Sequence, residues 1–133
     1  MKYTRLTPCA ECPFRKKSLP GWLGPDTGRA AALINEIAGR VEIEPGIFVG
    51  CEPMDYACHT HTAALIEQHG KDEEGLLPAE QAHKVTHCAG ALLFLKSIIK
   101  RPHDPEKCKA IEKVRSKVPM LSSIKEYVEH HGK

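Results

Sequence analysis

Apolar residues repeat with the helical period in most of this chain and with the strand period in one short stretch. Ala30, Leu33, Ile34 and Ile37 share a helical face, which predicts a helix from Pro25 to Arg40. Pro25 suits its first turn, and Gly39 suits its end. Val41-Glu42-Ile43 and Ile47-Phe48-Val49 alternate on either side of Pro45-Gly46, which predicts two short strands in a hairpin. Cys58 to His69 predicts a second helix. Thr60 is its candidate cap, and Cys58, Thr62, Leu65, Ile66 and His69 share a face.

The longest helical pattern runs from Pro78 to Lys100, with a possible break at Gly90. Val85, Cys88, Ala89, Leu92 and Ile99 line one side of it, so Cys88 is expected to point inward. Asp104-Pro105 reads as a cap followed by a first-turn proline, opening a helix to about Lys117 before Pro119. Ser123 and Glu126 have capping-box spacing for a last helix to about His131. Residues 1–24 have no such period and are punctuated by Pro8, Pro13, Pro20, Gly21 and Gly24. The pattern predicts a mostly α fold. It has four to five helices, an irregular N-terminal segment and at most a short β-hairpin.

Length and composition sharpen this picture. A chain of 133 residues suits one domain, 1–133, with too little core for a second. Aromatic residues are only 5%, so Leu, Ile, Val and Ala must build a thin core, and a metal staple becomes useful. No run approaches a membrane span, because Ala91 to Leu95 stops at Lys96. Met1 to Arg5 is polar and leads into no apolar leader, which predicts a cytoplasmic protein. In a reducing compartment six cysteines point to metal or thiol chemistry, and no disulfides are expected.

The net charge of +2 implies no particular partner, but the charge is unevenly spread. Arg15, Lys16 and Lys17 form one basic group. Lys100, Arg101, Lys107, Lys109, Lys113 and Arg115 form a second. Both read either as solvated surface or as contacts to nucleic acid or an acidic partner. Trp22 and Phe14 could stack on a partner, although core packing suits them as well.

The strongest chemical signal is Cys9-Ala10-Glu11-Cys12-Pro13-Phe14-Arg15. Two intervening residues place both sulfurs on one side of a turn, as two of four tetrahedral ligands. A proline directly after cysteine recurs in iron–sulfur segments. Cys58 opens a helix, whose N-terminus favours a thiolate. Cys88 precedes Ala89-Gly90, small residues that let the backbone approach something bulky. Cys9, Cys12, Cys58 and Cys88 are therefore the candidate ligands of one centre around which the fold is organised. His59 or Cys51 is a possible substitute, and Cys108 is expected to stand apart. The widely separated ligands suit a [4Fe-4S] cluster. Zn2+ is the alternative, with a histidine beside the cysteines able to replace one of them.

Together these motifs resemble an uncharacterised four-cysteine domain family of bacteriophages and prophages. The resemblance rests on Cys9-x-x-Cys12-Pro13-Phe14-Arg15, Cys58-His59 and Cys88-Ala89-Gly90, and spans residues 9 to about 95. Residues 104–133 lie outside it as a helical C-terminal extension. The first motif is also faintly similar to actinobacterial iron–sulfur transcription factors, with Phe14 departing from their pattern. The family has no established activity, so the resemblance implies the site more than the function.

Three functions suit these features. The first is a metal-stabilised, non-enzymatic phage module that binds a host protein or nucleic acid through the basic residues. The second is a redox sensor built on an iron–sulfur cluster. The third is a zinc hydrolase or deaminase. Pro8-Cys9-x-x-Cys12 matches half of a deaminase signature, but His59-Thr60-His61 lacks the required glutamate.

Overall fold

The computed structural model describes residues 1–21 and 27–132. Pro25 and Trp22, assigned above to a helix start and a stacking position, lie outside the described residues. Five α-helices, one 3₁₀ helix and a two-stranded antiparallel sheet follow one another among those described. The fold is thus mostly α with a short hairpin.

Helix α1 (Thr27–Ala38) buries Ala30, Ile34 and Ile37 as its period predicts, leaves Leu33 half-buried, and buries Ala38 in addition. It stops at Gly39, which has φ +75°. A side chain there would stand 2.5 Å from the Cys51 carbonyl and 2.9 Å from Lys100 Cε. Conformation and space both require glycine. Strands β1 (Arg40–Glu44) and β2 (Ile47–Gly50) then pair from Arg40–Gly50 to Glu44–Ile47, with a bulge between Glu42 and Glu44. Arg40 lies over the Phe48 ring at 3.8 Å, while Val41, Ile43, Ile47 and Val49 face solvent.

Helix α2 spans His59–His69, and helix α3 spans Ala89–Ser97. α3 is central, with Ala91, Leu92, Phe94 and Leu95 at most 1% exposed. One side of the core joins Phe14, α1, Phe94, Leu121 and Tyr127. The other joins Leu92 to Ala110 and Val114. Helices α4 (Pro105–Lys113) and α5 (Ile124–His131) close these two sides. Residues 104–133, an extension by motif, therefore supply core.

The helical pattern expected over Pro78 to Lys100 is interrupted before Gly90 rather than at it. Residues 79–84 make the 3₁₀ helix, and Val85–Cys88 is extended before α3 begins. Hydrogen bonds on both edges hold this extended piece. Lys2 N–H donates to Val85 O (2.8 Å) and His87 N–H to Lys2 O (2.7 Å). Cys58 N–H donates to Thr86 O (2.9 Å) and Cys88 N–H to Tyr56 O (2.7 Å). The β-branched Val85 and Thr86 favour the extended form, and long-range pairing outweighs helical period. Ile99, placed by the period on the inner face, is 91% exposed with φ +57°.

α4 begins as predicted, with the Asp104 carboxylate accepting from Glu106 N–H at 2.9 Å. It ends at Lys113 rather than Lys117, because Arg115 N–H bonds Leu6 O (3.1 Å) and draws the chain onto the N-terminal segment. Ser123 caps α5 by accepting from Glu126 N–H. The Glu126 carboxylate, however, accepts from Ser122 Oγ (2.7 Å), so half of the expected capping box is made.

Candidate metal centre

The N-terminal segment is built from consecutive turns. Cys12 N–H donates to Cys9 O, Arg15 N–H to Cys12 O, and Ser18 N–H to Arg15 O. The Arg15 guanidinium clamps the loop, with Nε donating to Cys9 O (2.7 Å) and Nη2 to Pro8 O (3.2 Å). Phe14 anchors it in the core against Tyr56, Phe94 and Tyr127, with the closest ring, Tyr127, at 5.2 Å. From outside, His131 Nε2 donates to Pro13 O at 2.6 Å and His130 Nε2 to Ser18 O at 2.8 Å.

Cys9, Cys12, Cys58 and Cys88 belong to one buried cluster, at 7%, 0%, 1% and 3% exposure. Cys58 and Cys88 occupy the N-cap positions of α2 and α3. Cys12 Sγ lies 3.8 Å from Cys88 Sγ. Thr60, expected to cap α2, instead donates its hydroxyl to Cys9 Sγ at 3.3 Å. Gly90 explains the small residues after Cys88, since any Cβ there would collide with Cys12 Sγ and with Phe14 Cβ. All six cysteines are free thiols. Among the described residues, no three donors stand together as an assembled metal site.

The thiols are electrostatically linked. The contact with the Cys88 thiol holds the Cys12 pKa down most strongly. Burial opposes this, while the Phe14 and Gly90 N–H groups and the Arg15 charge assist. Cys88 is correspondingly pushed well up by that contact, by burial and by charge on Cys12. Cys58 is raised by burial and by Cys9, against N–H donation from His61 and Thr60 and the charge of Arg5. Cys12 is thus favoured as a thiolate, while Cys58 and Cys88 resist ionisation. A cation among the sulfurs would remove that resistance.

Cys51, weighed as a substitute ligand, is exposed at the foot of the hairpin, where its N–H bonds Gly39 O. Cys108 donates to Pro102 O at 3.0 Å, apart from the cluster. His59 is half-exposed, with Nε2 3.7 Å from Glu11 Oε2. His87 is fully buried. Its Nδ1 donates to Cys88 O (3.0 Å), and its Nε2 accepts from Tyr56 N–H (3.1 Å).

Among the proposed contact residues, Lys107 is displaced from the surface. It is 1% exposed, with Nζ donating to Asp55 (2.8 Å) and to Pro53 O (3.3 Å). Asp55 is held below its ordinary pKa by Lys107, against burial, the largest influence on it. Tyr3 joins by donating its hydroxyl to Asp55 (3.5 Å), also donates to Asp104 (3.1 Å), and stacks on His87. The signal was present in the sequence, because Lys107, Ala110 and Val114 share one helical stripe, and a lysine in that stripe needs a buried partner. Lys100 donates to Gly39 O, and Lys16 pairs loosely with Glu126 at 3.7 Å. Lys17, Arg101, Lys109, Lys113 and Arg115 are exposed.

Comparison with protein-family models, curated proteins and solved structures finds no match to the chain. The described residues include no helix long and apolar enough to cross a membrane.

Proposed function

We propose that Cys9, Cys12, Cys58 and Cys88 bind one metal centre, Zn2+ or a [4Fe-4S] cluster. This centre stabilises a small phage-type module that binds a host protein or nucleic acid in the host cytoplasm. The supporting observation is the convergence of these four cysteines from three parts of the chain into one buried cluster, where Cys12 Sγ meets Cys88 Sγ and where Cys58 and Cys88 stand at helix N-caps. A metal site draws sulfur ligands from separated segments to one place, whereas a lone buried cysteine needs only apolar neighbours. Gly90 supports the resemblance to the phage family, since its Cys-Ala-Gly motif acquires a steric reason here.

The Cys12–Cys88 spacing of 3.8 Å favours zinc. A tetrahedral ion with Zn–S bonds of about 2.3 Å has sulfur–sulfur edges of about 3.8 Å. Thiolates of a cubane cluster bind different irons and stand further apart. The bound ion would neutralise the thiolates and tie the N-terminal loop to α2 and α3.

Anaerobic purification with metal analysis tests the reading. The expected result is a colourless protein with one zinc per chain. A brown protein with iron and sulfide moves the assignment to the cluster. A metal-free protein that is fully folded overturns the centre. Single Cys→Ser changes at 9, 12, 58 and 88 should each lower metal content, with Cys51→Ser and Cys108→Ser as unaffected controls.

A second reading, redox sensing, is favoured by the same thiol contact, since a peroxide, reduced as Cys12 and Cys88 give up two protons and two electrons and form a disulfide, would remove two ligands together. Equal partner binding by the intact and oxidised forms would rule it out.

A further inference from the structure

One residue from each basic group, Arg15 and Arg115, meets the other at one concave place, where Lys117 joins them. A cleft of about 300 Å³ opens between the N-terminal loop and the segment after α4. Its lining includes Thr7, Pro8, Arg15, Arg115, Lys117 and Val118. Backbone bonds on either side hold its walls, Arg115 N–H to Leu6 O (3.1 Å) and Lys16 N–H to Pro119 O (3.0 Å).

Three cations line this cleft and no carboxylate does. Among the described residues none of Arg15, Arg115 and Lys117 forms an ion pair. Arg15 is fixed on one edge by Cys9 O and Pro8 O, and no partner occupies its Nη1 among the described residues. Three like charges around a concavity concentrate positive potential, which an anion relieves. A guanidinium with a free edge matches phosphate oxygens. Pro8 and Val118 add an apolar wall beside the cations, suited to a sugar or base face.

We infer that this cleft binds the phosphodiester backbone of a single nucleic-acid strand. A duplex is too wide and convex to enter a cavity of this size. The inference rests on the binding-module reading above and gives it a location. Arg15 also couples the two sites, because the guanidinium that faces the ligand holds the carbonyl of Cys9.

The test uses the full chain and a labelled mixed-sequence single-stranded oligonucleotide, titrated at several salt concentrations. Inorganic pyrophosphate and a mononucleotide serve as competitors. Arg115→Glu with Lys117→Glu removes two exposed cations of the cleft. Arg29→Glu with Lys71→Glu makes the same charge change at exposed positions outside the cleft and outside both basic groups. Metal content and circular dichroism verify that both doubles fold. The cleft double is expected to weaken binding by about tenfold or more and to reduce the salt slope by roughly 1.4, two phosphate contacts' worth. The control double should lose less than about threefold, by screening alone. Equal losses in the two doubles overturn the cleft while leaving nucleic-acid binding intact. No binding by the unaltered protein overturns nucleic acid as the partner as well. Competition by pyrophosphate as effective as by the strand assigns the cleft to a small phosphate ligand and overturns the strand.

Discussion

Residues 8–18 form no helix and no strand beyond one isolated bridge, yet Cys9, Cys12, Pro13 and Phe14 are buried. Residues 40–50 form a regular hairpin, yet Val41, Ile43, Ile47 and Val49 keep 48%, 59%, 50% and 42% of their exposure. The loop is ordered by what its side chains reach. Arg15 clamps the loop onto itself, Phe14 packs against Tyr56, Phe94 and Tyr127, and Cys9 and Cys12 meet Thr60 and Cys88. The hairpin is ordered by its own ladder, by Arg40 over Phe48 and by its bond to Gly39. Regular backbone and contribution to stability are separate properties, and in this chain they fall on opposite segments.

The sharpest way to break the comparison is to truncate one aromatic residue in each region. Phe14→Ala should cost about 4 kcal/mol in urea unfolding, since a buried ring leaves a cavity. Phe48→Ala should cost about 1 kcal/mol, the worth of a partly exposed cation–π contact. Equal costs would mean that the hairpin carries as much stability as the loop.

Glycines give the next contrast. Gly90→Ala should cost about 3 kcal/mol and lower metal content, because its Cβ would enter the space of Cys12 Sγ and Phe14. Gly46 in the hairpin turn has φ +79° with nothing within 4 Å of its Cβ position. Gly46→Ala should cost only about 1 kcal/mol, through backbone conformation alone.

Acid should act on the stitched region and leave the hairpin untouched. Burial, the largest influence, depresses His87 to about 4, and it also lowers His131. Both are neutral in the fold and take up protons more readily when unfolded. Stability is therefore full above the unfolded value of about 6.5 and falls as pH drops towards the folded values. His87 alone should account for a loss of about 2 kcal/mol between pH 7.5 and pH 5. His87→Gln should flatten that part of the pH profile. An unchanged slope would show that His87 is not the titrating group. The smallest effect belongs to the exposed face of the hairpin, where Ile43→Thr should stay within about 0.5 kcal/mol.

The helices and hairpin were largely legible because period and caps are local. Ser123 and Asp104 are where the pattern puts them, and the strands turn at Pro45-Gly46. The errors come from pairing over long sequence distances. Val85–Cys88 reads as helix until Lys2 and Tyr56 arrive on its two edges. Lys107 reads as surface until Asp55 reaches it from 52 positions away. Of the four motif cysteines, what the structure shares with the pattern is their burial in one cluster. The clamp by Arg15 was not legible, because a carbonyl acceptor leaves no mark on side-chain pattern.

The bond from His131 to Pro13 joins residues 118 positions apart. A ribosome adds roughly 5–20 residues per second, so Pro13 precedes its partner by roughly 6 to 24 s during synthesis. Through that interval Cys9 to Phe14 are present without α5 beside them and without Tyr127 against Phe14. Connectivity thus imposes a schedule, in which the first thiols made are among the last to be covered.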